Sequence, residues 1–238
     1  MNPKKITKKS ISSFYQLLAP VFDLLDGYFS YEVKGLQNIS KNKAALLVMN
    51  HGIIPYHGFL LARRLYRDAH IAQRSLGADF IFEIPCLREL FMAGGALPAS
   101  PENARRLLKE GHLVTLAPGG IYESLVTQPG MKRIPWERHF GFAKLACELG
   151  VPVIPSYARG IDRVYWNSNF LLRMRIKILE KTRFSIPLFF GLGLLPLPTP
   201  ITHRIGKALF PPSGKVTRKK VTQFHTRVLR AMQKLRDQ

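Results

Sequence analysis

The sequence predicts an α/β domain with a mostly parallel central sheet flanked by helices. Three observations carry this reading. Apolar runs at 44–49, 113–117 and 151–155 have the composition of strands covered on both faces. Segments of helical period lie between them, and strand–helix alternation is the pattern of parallel sheets. With 46% apolar residues in a chain of 238, there is enough material for one substantial core, and disorder is argued against.

Residues 1–30 read as a separate, basic amphipathic segment. Lys4, Lys5, Lys8 and Lys9 precede Ile11–Leu25, where Phe14, Leu17, Leu18, Val21, Phe22 and Leu25 recur at helical spacing. Gln16, Pro20 and Asp23 interrupt the run and no small-residue cleavage site follows, so it does not read as a cleaved signal peptide. Such a helix suits an anionic membrane surface; an ordinary N-terminal helix packed on the domain fits the same pattern. Residues 31–238 read as one domain, without repeats or a linker.

Within that domain, 44–49 is a strand, Gly58–Tyr66 a helix, Ile71–Gln73 a short strand and Leu87–Met92 a helix after Pro85. Ser100 and Pro101 form a helix start, as N-cap and first-turn residue, and that helix runs to Gly111. The strand Leu113–Ala117 follows. Phe142–Glu148 is a helix stopped by Gly150, with Phe142, Leu145, Ala146 and Leu149 inward. Val151–Pro155 begins a strand. Leu172–Leu179, where basic and apolar residues alternate, is expected to be another. Phe184–Leu197 is too short to span hydrocarbon and is interrupted by Pro187 and Pro196. It is either a buried loop or a patch that dips into lipid. From about Thr217 a helix places Val221, Phe224, Val228, Met232 and Leu235 on one face and a row of Lys and Arg on the other.

Charge narrows the partners. Thirty-six Lys and Arg against fifteen Asp and Glu give +21, which calls for a polyanion. No nucleic-acid motif is present, and the aromatics sit in apolar runs rather than between cations, so an anionic membrane surface is expected and nucleic acid is not. Cys86 and Cys147 fit no metal or redox spacing; both read as reduced core residues of a reducing compartment.

The chemistry concentrates at two strand ends. Asn50-His51-Gly52 closes the first apolar run and delivers an imidazole to the mouth of the sheet, where it can take a proton from an attacking hydroxyl. The run 113–117 opens into Pro118-Gly119-Gly120, whose backbone can approach a ligand closely and direct N–H groups at a developing oxyanion. Glu123 follows at a spacing that either orients His51 or a donor group, or caps a helix. A base beside an anion-stabilising loop is the equipment of acyl transfer.

Together, the blocks NHGIIPYHG, LAPGGIYESL and VPVIP resemble the glycerolipid acyltransferase superfamily. The paired glycines are similar to the branch of type 2 diacylglycerol acyltransferases and their transmembrane relatives. Arg138 to Ala146 with Gly150, Ile154 and Pro155, and later Gly193–Pro196, Pro200–Thr202 and Gly206-Lys207, extend the likeness over roughly 31–212. The resemblance implies transfer of a fatty acyl group from a coenzyme A or carrier-protein thioester to a lipid hydroxyl, without metal or other cofactor, at the cytoplasmic face of a membrane. It implies His51 as general base, with Asn50, Gly119 and Gly120 holding the acceptor or stabilising charge. The family's Asp after the His is missing: Tyr56 and His57 stand there, and His57 or Glu123 is expected to serve instead. The Arg that precedes the second block's helix in the family is replaced by Ser100-Pro101-Glu102, with Arg105 the substitute substrate ligand. That loss argues against glycerol 3-phosphate as acceptor. A degenerate acyltransferase fold kept for lipid binding is the alternative, and a basic nucleic-acid-binding protein a more remote one.

Overall fold

A computed structural model describes residues 7–182, 187–193 and 195–238. Its centre is a seven-stranded sheet of β1 (Glu32–Lys34), β2 (Ala45–Met49), β3 (Arg74–Gly77), β4 (Ala96–Pro98), β5 (Leu113–Leu116), β6 (Val153–Arg159) and β9 (Thr202–Ile205). The order is β1-β9-β6-β2-β5-β3-β4, and only the β6–β9 contact is antiparallel. A separate two-stranded ribbon pairs β7 (Trp166–Asn167) with β8 (Phe189–Phe190).

β2 is central, and every one of its residues is buried. Its side chains alternate between two cores. Leu46 and Val48 face Trp136, Phe142, Phe224 and Val228, contributed in part by α8 (Gly141–Leu149) and α10 (Arg218–Asp237), together with α6 (Pro101–Lys109). Leu47 and Met49 face Leu61 and Leu65 of α3 (Tyr56–Ala69). A strand buried on both faces has to be continuously apolar, which is why its sequence lacks period-two alternation.

The helix ends obey local rules. The Ser100 hydroxyl accepts from the N–H of Asn103 at 3.1 Å, and Thr217 caps α10 from Lys220 at 3.3 Å. Gly150 ends α8 in the left-handed conformation at φ 66°.

The N-terminal segment is two helices, α1 (Lys8–Leu17) and α2 (Ala19–Tyr28), because Pro20 begins a new helix. Ile11, Tyr15, Phe22 and Phe29 are buried in one core cluster with Leu60 and Tyr165, while Leu17 and Leu24 stay exposed. Arg64 of α3 grips Asp26 of α2 through two hydrogen bonds of 3.2 and 2.7 Å. The segment is therefore packed on the domain and still presents an apolar outer edge. No helix among the described residues is long and apolar enough to cross a membrane.

Several sequence expectations need correction. The third strand begins at Arg74, just past the expected 71–73, since the chain first leaves α3 through His70 in a left-handed turn. Residues 172–179 are helical, within α9 (Leu172–Thr182), not extended. Arg175 is buried with Nη1 donating to the Ser168 carbonyl at 2.7 Å, so the basic residues do not share one face. Leu172, Ile176, Ile178 and Leu179 are partly buried, and 172, 176 and 179 recur at helical spacing. Cys147 is buried as expected, but Cys86 is exposed in a left-handed turn before α5 (Leu87–Ala93). Within the apolar stretch 184–197, residues 184–186 and 194 lie outside the described residues.

Candidate active site

Two parallel neighbours bring the two motifs together. β2 and β5 pair in register with Val48 opposite Leu116, so the residues after each strand emerge side by side. On its other edge β2 pairs with β6. The helices after β2 and β5 lead away from this edge, which leaves a crevice beyond the carboxyl ends of the strands, the usual location of ligand sites in open α/β sheets.

His51 is half-buried and lines a cleft together with Glu123, Gln128, Arg133, Tyr157 and Asp162, among others. Its Nδ1 lies against the carbonyl oxygen of Gly52. A carbonyl only accepts, so Nδ1 carries the proton and Nε2 keeps its lone pair. Burial also lowers the ring's pKa below its usual 6.5. At neutral pH the imidazole is thus neutral and basic at Nε2.

Asn50 is committed elsewhere. Its Nδ2 donates to the Ala158 carbonyl at 3.1 Å and its Oδ1 accepts from the Ala158 N–H at 2.8 Å. This side chain extends the β2–β6 ladder by one rung and fixes where the His51 turn leaves the sheet, so it is a brace rather than a free substrate ligand.

His57 is fully buried behind that turn. Its Nε2 meets the Asn50 carbonyl at 2.9 Å, and no partner for Nδ1 is present among the described residues. Next to it, His203 is held between the Tyr31 hydroxyl at 2.9 Å and the Ser156 hydroxyl at 3.0 Å. Desolvation pushes the His57 pKa down to about 3, so the ring stays neutral. Sealed away from the cleft, His57 does not fit the substitute-base role and instead supports the turn from beneath.

Glu123 sits in the first turn of α7 (Gly120–Val126) and is only 2% exposed. Trp136 Nε1 donates to its Oε2 at 2.7 Å, and the carboxyl lies beside the backbone of His51 and Gly119. Glu123 packs at the start of α7 in the lining of the His51 cleft. Among the described residues no hydrogen bond joins its carboxyl to the imidazole ring, whose Nδ1 lies against the Gly52 carbonyl. Burial outweighs the Trp136 donor and raises its pKa to about 8.

The paired glycines serve this clamp. A Cβ on Gly119 would lie 2.5 Å from both Cβ and Oε2 of Glu123, and Gly120 has φ +48°. Gly120 N–H donates to the Ala117 carbonyl at 3.0 Å, so this amide is not open to an oxyanion. Gly119 allows close packing against Glu123. Arg105 is corrected too: it faces α8, where Nη2 meets Glu148 Oε2 at 2.6 Å, and it is not part of the cleft lining.

Sequence motifs gave no sign of Trp136, Tyr157 or Gln128. Gln128 contributes a buried Nε2 with no hydrogen-bond partner among the described residues, in the wall of the His51 cleft. An unpaired buried amide N–H is costly, and a substrate oxygen would satisfy it. These residues lie on the loop after α7 and on β6, where only the fold reveals proximity to His51.

The fold is a helix-flanked, mostly parallel sheet that brings a histidine and a glycine turn to adjacent strand ends. The chain belongs to the diacylglycerol acyltransferase family, whose model matches residues 7–238. It is 29% identical over 175 residues to a Homo sapiens "DGAT1/2-independent enzyme synthesizing storage lipids", covering 72% of this chain and 53% of the human protein. It is 27% identical over 244 residues to "Diacylglycerol O-acyltransferase 2-like protein 6" of Bos taurus, covering 92% of this chain and 72% of that protein. Among solved structures it shares its fold with the 1-acyl-sn-glycerophosphate acyltransferase PlsC of Thermotoga maritima, at a TM-score of 0.59 and 17% identity over 96% of this chain and 81% of that one. The chain spans about half the length of the human protein.

Proposed function

We propose that this chain is an O-acyltransferase that moves a fatty acyl group from a coenzyme A or carrier-protein thioester to a glycerolipid or other lipid hydroxyl. It works on the cytoplasmic face of an anionic membrane, a setting favoured by the net charge of +21. One arrangement supports this most: His51, its Nδ1 proton engaged by Gly52, lines a cleft together with Gln128, whose Nε2 has no hydrogen-bond partner among the described residues.

In this mechanism His51 Nε2 takes the proton of the acceptor hydroxyl as its oxygen attacks the thioester carbonyl. The new C–O bond forms while the carbonyl electrons move to oxygen, and Gln128 Nε2 donates to substrate oxygen at this stage. Collapse of the tetrahedral adduct breaks the C–S bond, and the imidazolium returns its proton to the departing thiolate. Positioned base catalysis of this kind contributes roughly two to four powers of ten. The backbone carbonyl of Gly52 fixes the tautomer but stabilises the imidazolium less than a carboxylate does.

A lipid-binding protein without catalysis is the second reading, and one observation favours it. Tyr56, at the place of the family's Asp, bonds the Tyr165 hydroxyl at 3.0 Å and supplies no charge to the imidazole. Radiolabelled acyl-coenzyme A offered with mono- and diacylglycerols, lysophospholipids and long-chain alcohols separates the two. Labelled ester from any acceptor supports the transferase; none from the whole panel, with lipid still bound, supports the second reading.

A further inference from the structure

Large apolar side chains are concentrated outside the core on one segment. Trp166 of β7 is 62% exposed, Phe170 66% and Leu195 67%, and Leu171, Phe190 and Leu192 are exposed beside them. The group is contiguous: β7 and β8 pair Trp166 opposite Phe190, with ring centroids 6.1 Å apart, and Leu192 and Leu195 bond each other through their backbones in the turn that follows.

This surface is rigidly mounted. Beneath Trp166, the buried Asn167 donates through Nδ2 to the carbonyls of Ser124, Leu125 and Thr127, at 3.1, 2.9 and 3.1 Å. It thereby caps the carboxyl end of α7, the helix that carries Glu123. The buried Arg175 holds the turn from the other side, donating to Ser168 and Phe170 carbonyls at 2.7 and 3.4 Å. Phe189, on the inner side of the ribbon, packs its ring 4.8 Å from buried Tyr165. An apolar projection with polar anchors below it is a built feature and not a frayed loop.

It also stands beside the reaction site. Thr127, whose carbonyl Asn167 caps, lines the His51 cleft, as does Asp162, five residues before Asn167. Exposed cations occupy the same elements: Arg163 before β7, and Arg173, Lys177 and Lys181 along α9. Aromatic and aliphatic side chains ringed by cations match the acyl-chain boundary and headgroups of an anionic bilayer. A second copy of the chain docked face to face would set these cations against their own counterparts.

We propose that the β7–β8 ribbon and the start of α9 form the surface by which this chain inserts shallowly into an anionic phospholipid bilayer, presenting the His51 cleft to lipid acceptors. The inference rests on the membrane reading above and assigns the face that meets the lipid.

The chain's two tryptophans make the test direct, because Trp136 is buried and Trp166 is exposed. Phosphatidylcholine–phosphatidylglycerol vesicles carrying brominated acyl chains are titrated into the full chain. Trp166 fluorescence is expected to shift to the blue and be quenched, and a W166F control is expected to lose that response. The double variant F170E/L192E is expected to bind these vesicles at least about tenfold more weakly. Its circular dichroism is expected to be unchanged, as is its acyl transfer to a short-chain acceptor dispersed in detergent. Unquenched Trp166 on sedimented vesicles overturns the assignment of this face and leaves membrane binding intact. So does a variant L17E/L24E that loses binding while F170E/L192E keeps it. Concentration-dependent dimerisation that shields Trp166 without lipid overturns it in favour of a second copy. Full quenching without acyl transfer to any acceptor sinks the catalytic reading and leaves this surface standing.

Discussion

Trp136 and Glu123 are joined by a buried 2.7 Å hydrogen bond from the indole Nε1 to Oε2, and neither residue has more than 2% of its surface exposed. The same carboxyl lies beside the backbone of His51 and Gly119. The bond thus ties α7 to the loop that follows it at the wall of the His51 cleft. In Trp136→Phe the packing survives, but a buried carboxyl loses a donor. Unfolding free energy is expected to drop by about 1–3 kcal/mol in urea titrations. Acyl transfer should fall with it, since the His51 turn loosens. Unchanged stability would mean that this bond holds nothing together.

Gly119→Ala probes the same clamp from below. The added methyl would sit 2.5 Å from the Glu123 side chain, in backbone whose φ of −77° is otherwise ordinary. Overpacking of this sort costs about 1–3 kcal/mol. A melting temperature within error of wild type would show that the turn has room to relax.

Much of this was legible in the sequence, for identifiable reasons. The strands 44–49 and 113–117 and the helix starts at Ser100 and Thr217 follow from local composition, and the structure keeps them. The place of His51 at a strand end was equally readable. What escaped is what depends on distance in space. Whether Asn50 faces a ligand or braces Ala158 is decided by a strand more than a hundred positions away. Likewise, a glycine amide looks the same in sequence whether it is open or taken, and here the Ala117 carbonyl takes that of Gly120. Residues 172–179 failed for another reason: a buried arginine in a helix imitates strand alternation.

Buried titrating groups give stability two opposing pH limbs. His57 falls from 6.5 to about 3 on folding, so its contribution is complete above pH 6.5 and is lost as pH drops toward 3. Glu123 rises from 4.5 to about 8, so its contribution is complete below pH 4.5 and disappears as pH climbs through 8. Melting temperatures across this range should show a flatter acid limb in His57→Gln and a flatter alkaline limb in Glu123→Gln. Identical curves for all three proteins would contradict these environments.

Arg105→Ala separates the site from the helical layer. The Arg105–Glu148 pair is partly solvent-exposed, and exposed pairs are worth about 0–1 kcal/mol. Activity toward any accepted substrate should match wild type. A rise in acceptor KM would return Arg105 to the substrate.

The most direct test is the rate of acyl transfer by His51→Gln, measured with acyl-coenzyme A and the best acceptor alongside donor binding and thermal stability. The rate is expected to fall by roughly two to four powers of ten, with binding and melting temperature preserved. Transfer within about tenfold of wild type would contradict base catalysis by this imidazole.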